Sequence, residues 1–400
     1  MSDAKDLRTA INTRLKGDYI QIAADVAQAP KVATGLLSFD EQTQGGLPMG
    51  VPISIQGRKS VGKSAFCYYM AGRSIKQYGG VPFVIQTEPG FDPIWAEQCG
   101  LPAKGCIFYE GTTLASSLQL ILDILEKDKP TCVILDSLSM LSANPNAKLV
   151  DSKSRGDRAI PTNWFFRNLM DKLDHEHPPL FMYIEHLHPV MDRPGLQVTG
   201  GETKGYANGM EIRLQLDGYK VEEFTSYAPS KDKTHTDELP VQANVAWEIR
   251  KSKSCPVRGK GLYELGLRET LFCKPGEITD YSELLVRGVL NGHIKKAGSW
   301  ISIISTGEKY QGDDKFRAAV DTNTLRKIVT GPRPTEGTGD SEGTGGKAKT
   351  SKRGGNPEGR LRGKRRNSGV AGGTQDDGQA ESQPEGGVAA EDTTGSDASG

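Results

Sequence analysis

Eight consecutive residues carry the sharpest chemical signal: Gly57-Arg58-Lys59-Ser60-Val61-Gly62-Lys63-Ser64, a complete G-x-x-x-x-G-K-S. Glycines in such a loop let successive backbone N–H groups turn toward a polyphosphate. A helix starting at its end adds a field that favours the anion. Lys63 is placed to reach the β- and γ-phosphates of ATP, and the Ser64 hydroxyl to ligate Mg2+. A second run, Cys132-Val133-Ile134-Leu135-Asp136-Ser137, delivers Asp136 to the carboxyl edge of a sheet, where it would hold the same Mg2+ through water. A third, Val84-Ile85-Gln86-Thr87-Glu88, ends in another carboxylate. Glu88 is therefore a candidate general base for water attacking the γ-phosphate. Alone, either acid reads equally well as a solvated strand end. Beside a phosphate loop, the pair points to phosphoryl transfer from ATP to water.

These residues need a sheet to hold them. Short apolar runs at 51–56, 81–87, 132–137 and 180–184 read as buried strands. Between them, 63–78, 93–99, 114–127 and 161–174 have helical patterning. This alternation predicts an α/β core, a mostly parallel sheet with helices on both faces. Residues 212–219 and 242–250 then read as a strand pair joined by a long polar excursion, 220–240. Leu7, Ile11 and Leu15 suggest a short amphipathic N-terminal helix, and 276–315 combines a helix at 281–291 with short strands around Trp300.

Composition bounds the classes. In 400 residues, 50 Lys+Arg balance 50 Asp+Glu, and mean hydropathy is −0.49. No apolar run approaches the roughly 20 residues that span a bilayer, and the first residues are too polar for a secretory signal. Six scattered cysteines never form C-x-x-C, which fits reduced thiols and a cytoplasmic setting. The pairs His175-x-His177 and His186-x-His188 lack the further ligands a tetrahedral metal site requires. Of the 48 glycines, 18 fall in residues 331–400, which contain no Phe, Trp, Tyr or Cys; that composition predicts a disordered tail. The tail is polarised: 347–366 holds nine bases and one acid, and 375–400 seven acids and no base.

Several further motifs resemble the RecA family of DNA strand-exchange recombinases over residues 33–315. Gly45-Gly46-Leu47-Pro48-Met49-Gly50 is similar to the family's approach to its phosphate loop, and Glu88-Pro89-Gly90-Phe91-Asp92-Pro93-Ile94-Trp95 to the segment after its catalytic strand. The resemblance makes Glu88 the catalytic glutamate, puts Asp92 and Trp95 against adenine, and makes Tyr206 a subunit-coupling aromatic. Lys251-Ser252-Lys253 matches a Lys-x-Lys that reaches the neighbouring subunit's ATP; alternate strand residues share a face, so both ammoniums can meet one phosphate group. Ile294-Lys295-Lys296-Ala297-Gly298-Ser299-Trp300 resembles the family's C-terminal module. Where bacterial members have Asn-Gln, this chain has Glu185-His186; His186 in the γ-phosphate-sensing place looks more like UvsX-type bacteriophage members.

The resemblance also implies two DNA-binding loops. The first, about 143–158, carries Lys148, Lys153, Arg155 and Arg158; the second, about 187–203, carries Arg193 and ends at Gly200 and Gly201. The implied organisation is an oligomerisation helix and linker in 1–32, an ATPase core in 33–272, a small module in 273–330 and the tail in 331–400. The implied activity is DNA-stimulated ATP hydrolysis in a helical filament that pairs single-stranded DNA with a homologous duplex, with single-strand-binding or loading proteins as further partners. A RecA-like helicase or branch-migration motor and a non-catalytic ATP-binding filament module are the alternatives. The Lys-x-Lys and C-terminal module speak against the first, and Glu88 against the second.

Overall fold

The short apolar runs line up as one central sheet. In this computed structural model, residues 3–18, 20–25, 28–111, 113–139, 159–174, 176–189, 196–198, 202–228 and 233–333 are described. Numbering only the strands along the main path of that sheet, these are β1 (Pro52–Gly57), β2 (Pro82–Gln86), β3 (Ile107–Glu110), β4 (Cys132–Asp136) and β5 (Leu180–Pro189). They are followed by β6 (Met210–Ala228), β7 (Lys233–Ser252), β8 (Lys260–Gly266) and β9 (Ile278–Thr279). Their spatial order is β9-β8-β7-β6-β1-β5-β4-β2-β3. From β6 to β3 every pairing is parallel; β6 through β9 pair antiparallel.

Both faces of the central parallel strands β1, β2 and β4 are covered, which is why they are largely apolar and not alternating. β1, β2 and β4 are buried along their whole length. Alternate residues of β4 go to opposite cores. Cys132 and Ile134 pack with Phe66 and Met70 of helix Lys63–Tyr78, whereas Val133 and Leu135 pack with Leu118, Ile121, Phe165 and Leu169. The latter come from helices Leu114–Lys127 and Ala159–Lys172. In the first of these, Leu114, Leu118, Ile121, Leu122 and Leu125 form one apolar stripe. Thr113 caps its start by accepting a hydrogen bond from the Ser116 N–H.

The expected mostly parallel α/β sheet, N-terminal helix and small C-terminal module are all present. Several details differ from expectation. The polar excursion 220–240 is not a loop: β6 and β7 form one long hairpin, in register from Met210↔Ser252 to Ala228↔Lys233. Its polarity misleads because an antiparallel ribbon satisfies its backbone by pairing and needs no buried face. Two further strands were not expected: β3, parallel to β2 with mostly exposed side chains, and β8, antiparallel to β7 and buried only in its second half. The N-terminal helix Ala4–Leu15 buries none of its residues within the subunit.

The C-terminal module continues past 315 through helices Asp313–Ala319 and Thr322–Thr330. It has its own core, in which Tyr281, Leu284, Ile301, Ile303, Phe316 and Leu325 are buried together. Polar ties join it to the rest of the subunit: Arg317 pairs with Glu264 of β8, and Asp280, paired with Arg326, accepts the Leu37 N–H. The Leu37 side chain packs on the module's core. No described helix is long and apolar enough to cross a membrane.

Candidate functional site

The phosphate loop follows β1 directly, and its backbone explains its glycines. A Cβ on Gly57 would lie 2.7 Å from the Val61 side chain and 2.8 Å from the Leu214 carbonyl oxygen, so only glycine fits. Gly62 takes φ +87°, and the turn passes through Ser60 at φ +59°. Helix Lys63–Tyr78 then begins at the loop's last two residues.

Lys63 is buried and donates to the Arg58 carbonyl at 2.7 Å. Burial lowers the pKa of its ammonium, with Asp136 and Glu88 pulling the other way. The Ser64 hydroxyl donates to Asp136 Oδ2 at 2.6 Å across the gap between the helix start and β4. Burial also raises the Asp136 carboxyl, against the Ser64 hydrogen bond, which is the largest opposing effect. A desolvated carboxylate beside a hydroxyl is a hard oxygen donor pair, the kind that Mg2+ takes. These residues therefore fit the cation that the motif implies.

Strands β2 and β4 are neighbours, and their ends are clasped together. The Thr87 hydroxyl donates to the Ser137 carbonyl at 2.7 Å and accepts the Ser137 N–H at 2.9 Å. This clasp places the Ser137 hydroxyl 2.5 Å from Glu88 Oε1, to which it donates. His186, near the end of β5, brings Nε2 to 2.6 Å from the same oxygen. Glu88 Oε2 takes no hydrogen bond among the described residues, leaving it to accept from a water. Burial acts to raise the Glu88 carboxyl, but Ser137, His186 and Lys63 outweigh it and hold the group below its ordinary range. His186 Nδ1 is buried with no hydrogen-bond partner among the described residues. The structure thus places Lys63, Ser64, Glu88, Asp136 and His186 near one another at the carboxyl edge of the sheet. Ser137 and Thr87 were missed. Their only sequence signal is adjacency to Asp136 and Glu88.

Other candidate residues lie elsewhere. Asp92 caps helix Pro93–Gln98 by accepting the Ile94 N–H at 2.8 Å, and Trp95 packs half-buried on the core. A cavity of about 600 Å3 opens at the end of that helix, lined by Gln98, Cys99, Gly100, Lys274 and Gly276. Within the subunit, Lys251 Nζ donates to the Gly205 carbonyl; the Lys253 side chain is exposed. Tyr206 is 75% exposed on helix Glu202–Ala207. Arg58 and Lys59 are exposed, and with Arg213 and Leu187 they border a second cavity of about 450 Å3. Lys148, Lys153, Arg155, Arg158, Arg193, Gly200, Gly201 and the tail from 334 onward lie outside the described residues.

A strand–phosphate loop–helix unit, with one carboxylate ending β4 and another just beyond the adjacent parallel strand β2, defines a P-loop-type α/β core. Similarity to known sequences narrows that class. No family model matches the chain. Protein RecA of Chlorobium chlorochromatii is 24% identical over 277 residues, 68% of this chain and 72% of that protein. Protein RecA of Cytophaga hutchinsonii is 23% identical over 308 residues, 76% and 80% of the two chains. Protein RecA of Fusobacterium nucleatum is 24% identical over 297 residues, 73% and 72%. These distant relatives, aligned over about three-quarters of the chain, support the RecA family and leave a phage-type subgroup undecided.

Proposed function

We propose that this chain is an ATP-dependent recombinase that assembles head to tail on single-stranded DNA and exchanges it into a homologous duplex in the cytoplasm. The observation that carries the reading is Glu88. It sits beside the phosphate loop, bonded to His186 at the point where the second DNA-binding loop begins, so one residue reports on both ligands. His186 in that place also favours a phage-type member.

In this reading Lys63 neutralises charge on the γ-phosphate while the loop N–H groups hold the phosphate chain. Mg2+, held by Ser64 and Asp136, supplies further charge neutralisation. Glu88 Oε2 takes the proton of the attacking water, and the Ser137 hydroxyl fixes the rotamer by holding Oε1. His186 exchanges its hydrogen bond between Glu88 and the γ-phosphate. Lys251 and Lys253 complete the site from the neighbouring subunit, which requires Lys251 to leave the Gly205 carbonyl on assembly. A head-to-tail contact of this type does not close on itself and generates a helical filament. The basic residues of the loops at 143–158 and 187–203 hold phosphates, so binding is largely independent of base sequence.

The test is ATP hydrolysis with and without single-stranded DNA, alongside strand exchange between homologous substrates. Hydrolysis should rise by about ten-fold or more with DNA, within the usual range of coupling between sites. An unchanged rate refutes the proposal. DNA-stimulated hydrolysis with strand unwinding but no exchange favours a translocating motor.

A further inference from the structure

Next to His186, on the opposite face of β5, lies a fully buried ion pair. Glu185 is 1% exposed and Lys204 3% exposed, and their side chains are in direct contact. The second Glu185 oxygen, Oε2, accepts the Ser54 hydroxyl of β1 at 2.5 Å. Two strands of the sheet and the helix Glu202–Ala207 therefore meet at one carboxylate.

The positions of these residues in the chain give the contact its meaning. β5 leads into the loop at 187–203, and Lys204 lies on the helix that ends it. The pair closes that loop at its base. Successive strand residues face opposite ways, so Glu185 and His186 stand back to back. His186 faces Glu88 in the nucleotide site, and Glu185 faces the far end of the loop. The same short helix is held by Lys251 on the Gly205 carbonyl. Just beyond it, Tyr183 donates to Asn208 at 2.7 Å, and Asn208 donates to Glu211 at 3.0 Å. The buried ion pair is not explained by stability alone. A buried ion pair loses its hydration on folding, and apolar residues of equal volume commonly hold a fold as well or better. What an ion pair adds is a directional, short-range link: a shift of one partner must be followed by the other.

We propose that Glu185 and Lys204 are positioning residues that couple the nucleotide site to the second DNA-binding loop. Movement of the β5 end, when His186 turns from Glu88 to the γ-phosphate, is carried through Glu185 to Lys204 and so to the helix that fixes the loop's far end. This inference rests on the recombinase reading for what the loop binds.

The test compares full-length native protein, the neutral double variant Glu185→Gln/Lys204→Met, and the exchanged pair Glu185→Lys/Lys204→Glu. Gln keeps an acceptor for Ser54, and the exchange restores opposite charges should the neutral variant fail to fold. Two readouts are needed: the ratio of single-stranded DNA affinity with a non-hydrolysable ATP analogue to that with ADP, and analogue-induced amide protection in residues 202–208 measured without DNA. In the neutral variant, DNA-free hydrolysis should stay within about two-fold of native and the affinity ratio should fall by about ten-fold. Nucleotide-induced protection of 202–208 should vanish. The exchanged pair should recover part of both. A native-like ratio and protection in the neutral variant, or no recovery of either in a folded exchanged pair, would overturn the coupling role alone. A native protein whose DNA affinity and hydrolysis ignore each other would instead overturn the recombinase reading, and the protection readout would still decide whether nucleotide reaches this helix.

Discussion

Replacing Glu88 with glutamine removes one charge and almost nothing else. The Gln carbonyl oxygen occupies the place of Oε1, where it accepts the Ser137 hydroxyl now at 2.5 Å and meets His186 Nε2 now at 2.6 Å. What is lost is the proton acceptor. Positioned bases contribute about 10²- to 10⁴-fold, so kcat should fall by that factor, equivalent to about 3–5 kcal/mol of barrier. Binding of ATP depends on the phosphate loop, Lys63 and Ser64, so KM should change by no more than about three-fold, the pattern of a group acting only in the transition state. Stability should barely move. The two hydrogen bonds lose charge assistance, but the Glu88 side chain is 29% exposed and water screens the difference. A loss of about 1 kcal/mol, or about 1–2 °C in Tm for a chain of this size, is expected. Steady-state hydrolysis and a thermal melt on the same preparation check both halves. A kcat within ten-fold of native would show that Glu88 is not the base. A large rise in KM would show that it binds nucleotide instead.

The same carboxylate has a pH signature. Because folding holds Glu88 below its ordinary value of 4.5, its contribution is full above that value and is lost as pH falls through the lowered one. The gap between native and Glu88→Gln urea midpoints should therefore be larger at about pH 7 than at about pH 3. A gap that widens on acidification contradicts the arrangement. Gly46 tests the approach to the phosphate loop. It takes φ +112°, and a Cβ there would lie 2.0 Å from the Val32 carbonyl oxygen, so Gly46→Ala should cost more than about 4 kcal/mol. Gly79, at φ +74° with open space around its Cβ position, meets backbone strain but no clash and should cost less, about 1–3 kcal/mol. Equal Tm values for the two alanine variants would refute the steric account.

How much of this was legible in the sequence follows from what each feature depends on. Gly57 through Ser64 and helix Lys63–Tyr78 are set by contiguous residues, so spacing alone places them. Asp136 and Glu88 were legible because an apolar run ending in an acid can stop only at the edge of a covered parallel sheet. Ser137 and Thr87 were not, because their roles depend on β2 and β4 lying side by side, a fact about strand order that neither run contains. The Glu185–Lys204 pair was hidden more deeply. Glu185 reads as a polar strand end, and only the return of the chain through helix Glu202–Ala207 brings an ammonium to it. The 220–240 segment was misread for the opposite reason: polarity signals exposure, and an exposed hairpin is as polar as a loop.

Strand order also resolves what net charge leaves open. Residues 1–330 carry 40 bases and 39 acids, so there is no overall positive field to draw the chain to DNA. The bases assigned to DNA are instead confined to two loops, one following β4 and the other following β5. β4 ends in Asp136, and His186 lies near the end of β5. In a parallel sheet the chain leaves adjacent strands from the same edge, so the segments that lead into the two proposed DNA loops depart from the edge that holds the candidate nucleotide site. Under the proposed filament reading, a weak grip by each neutral subunit becomes strong only when many subunits assemble. In that reading ATP-governed assembly is the step that decides whether DNA is held.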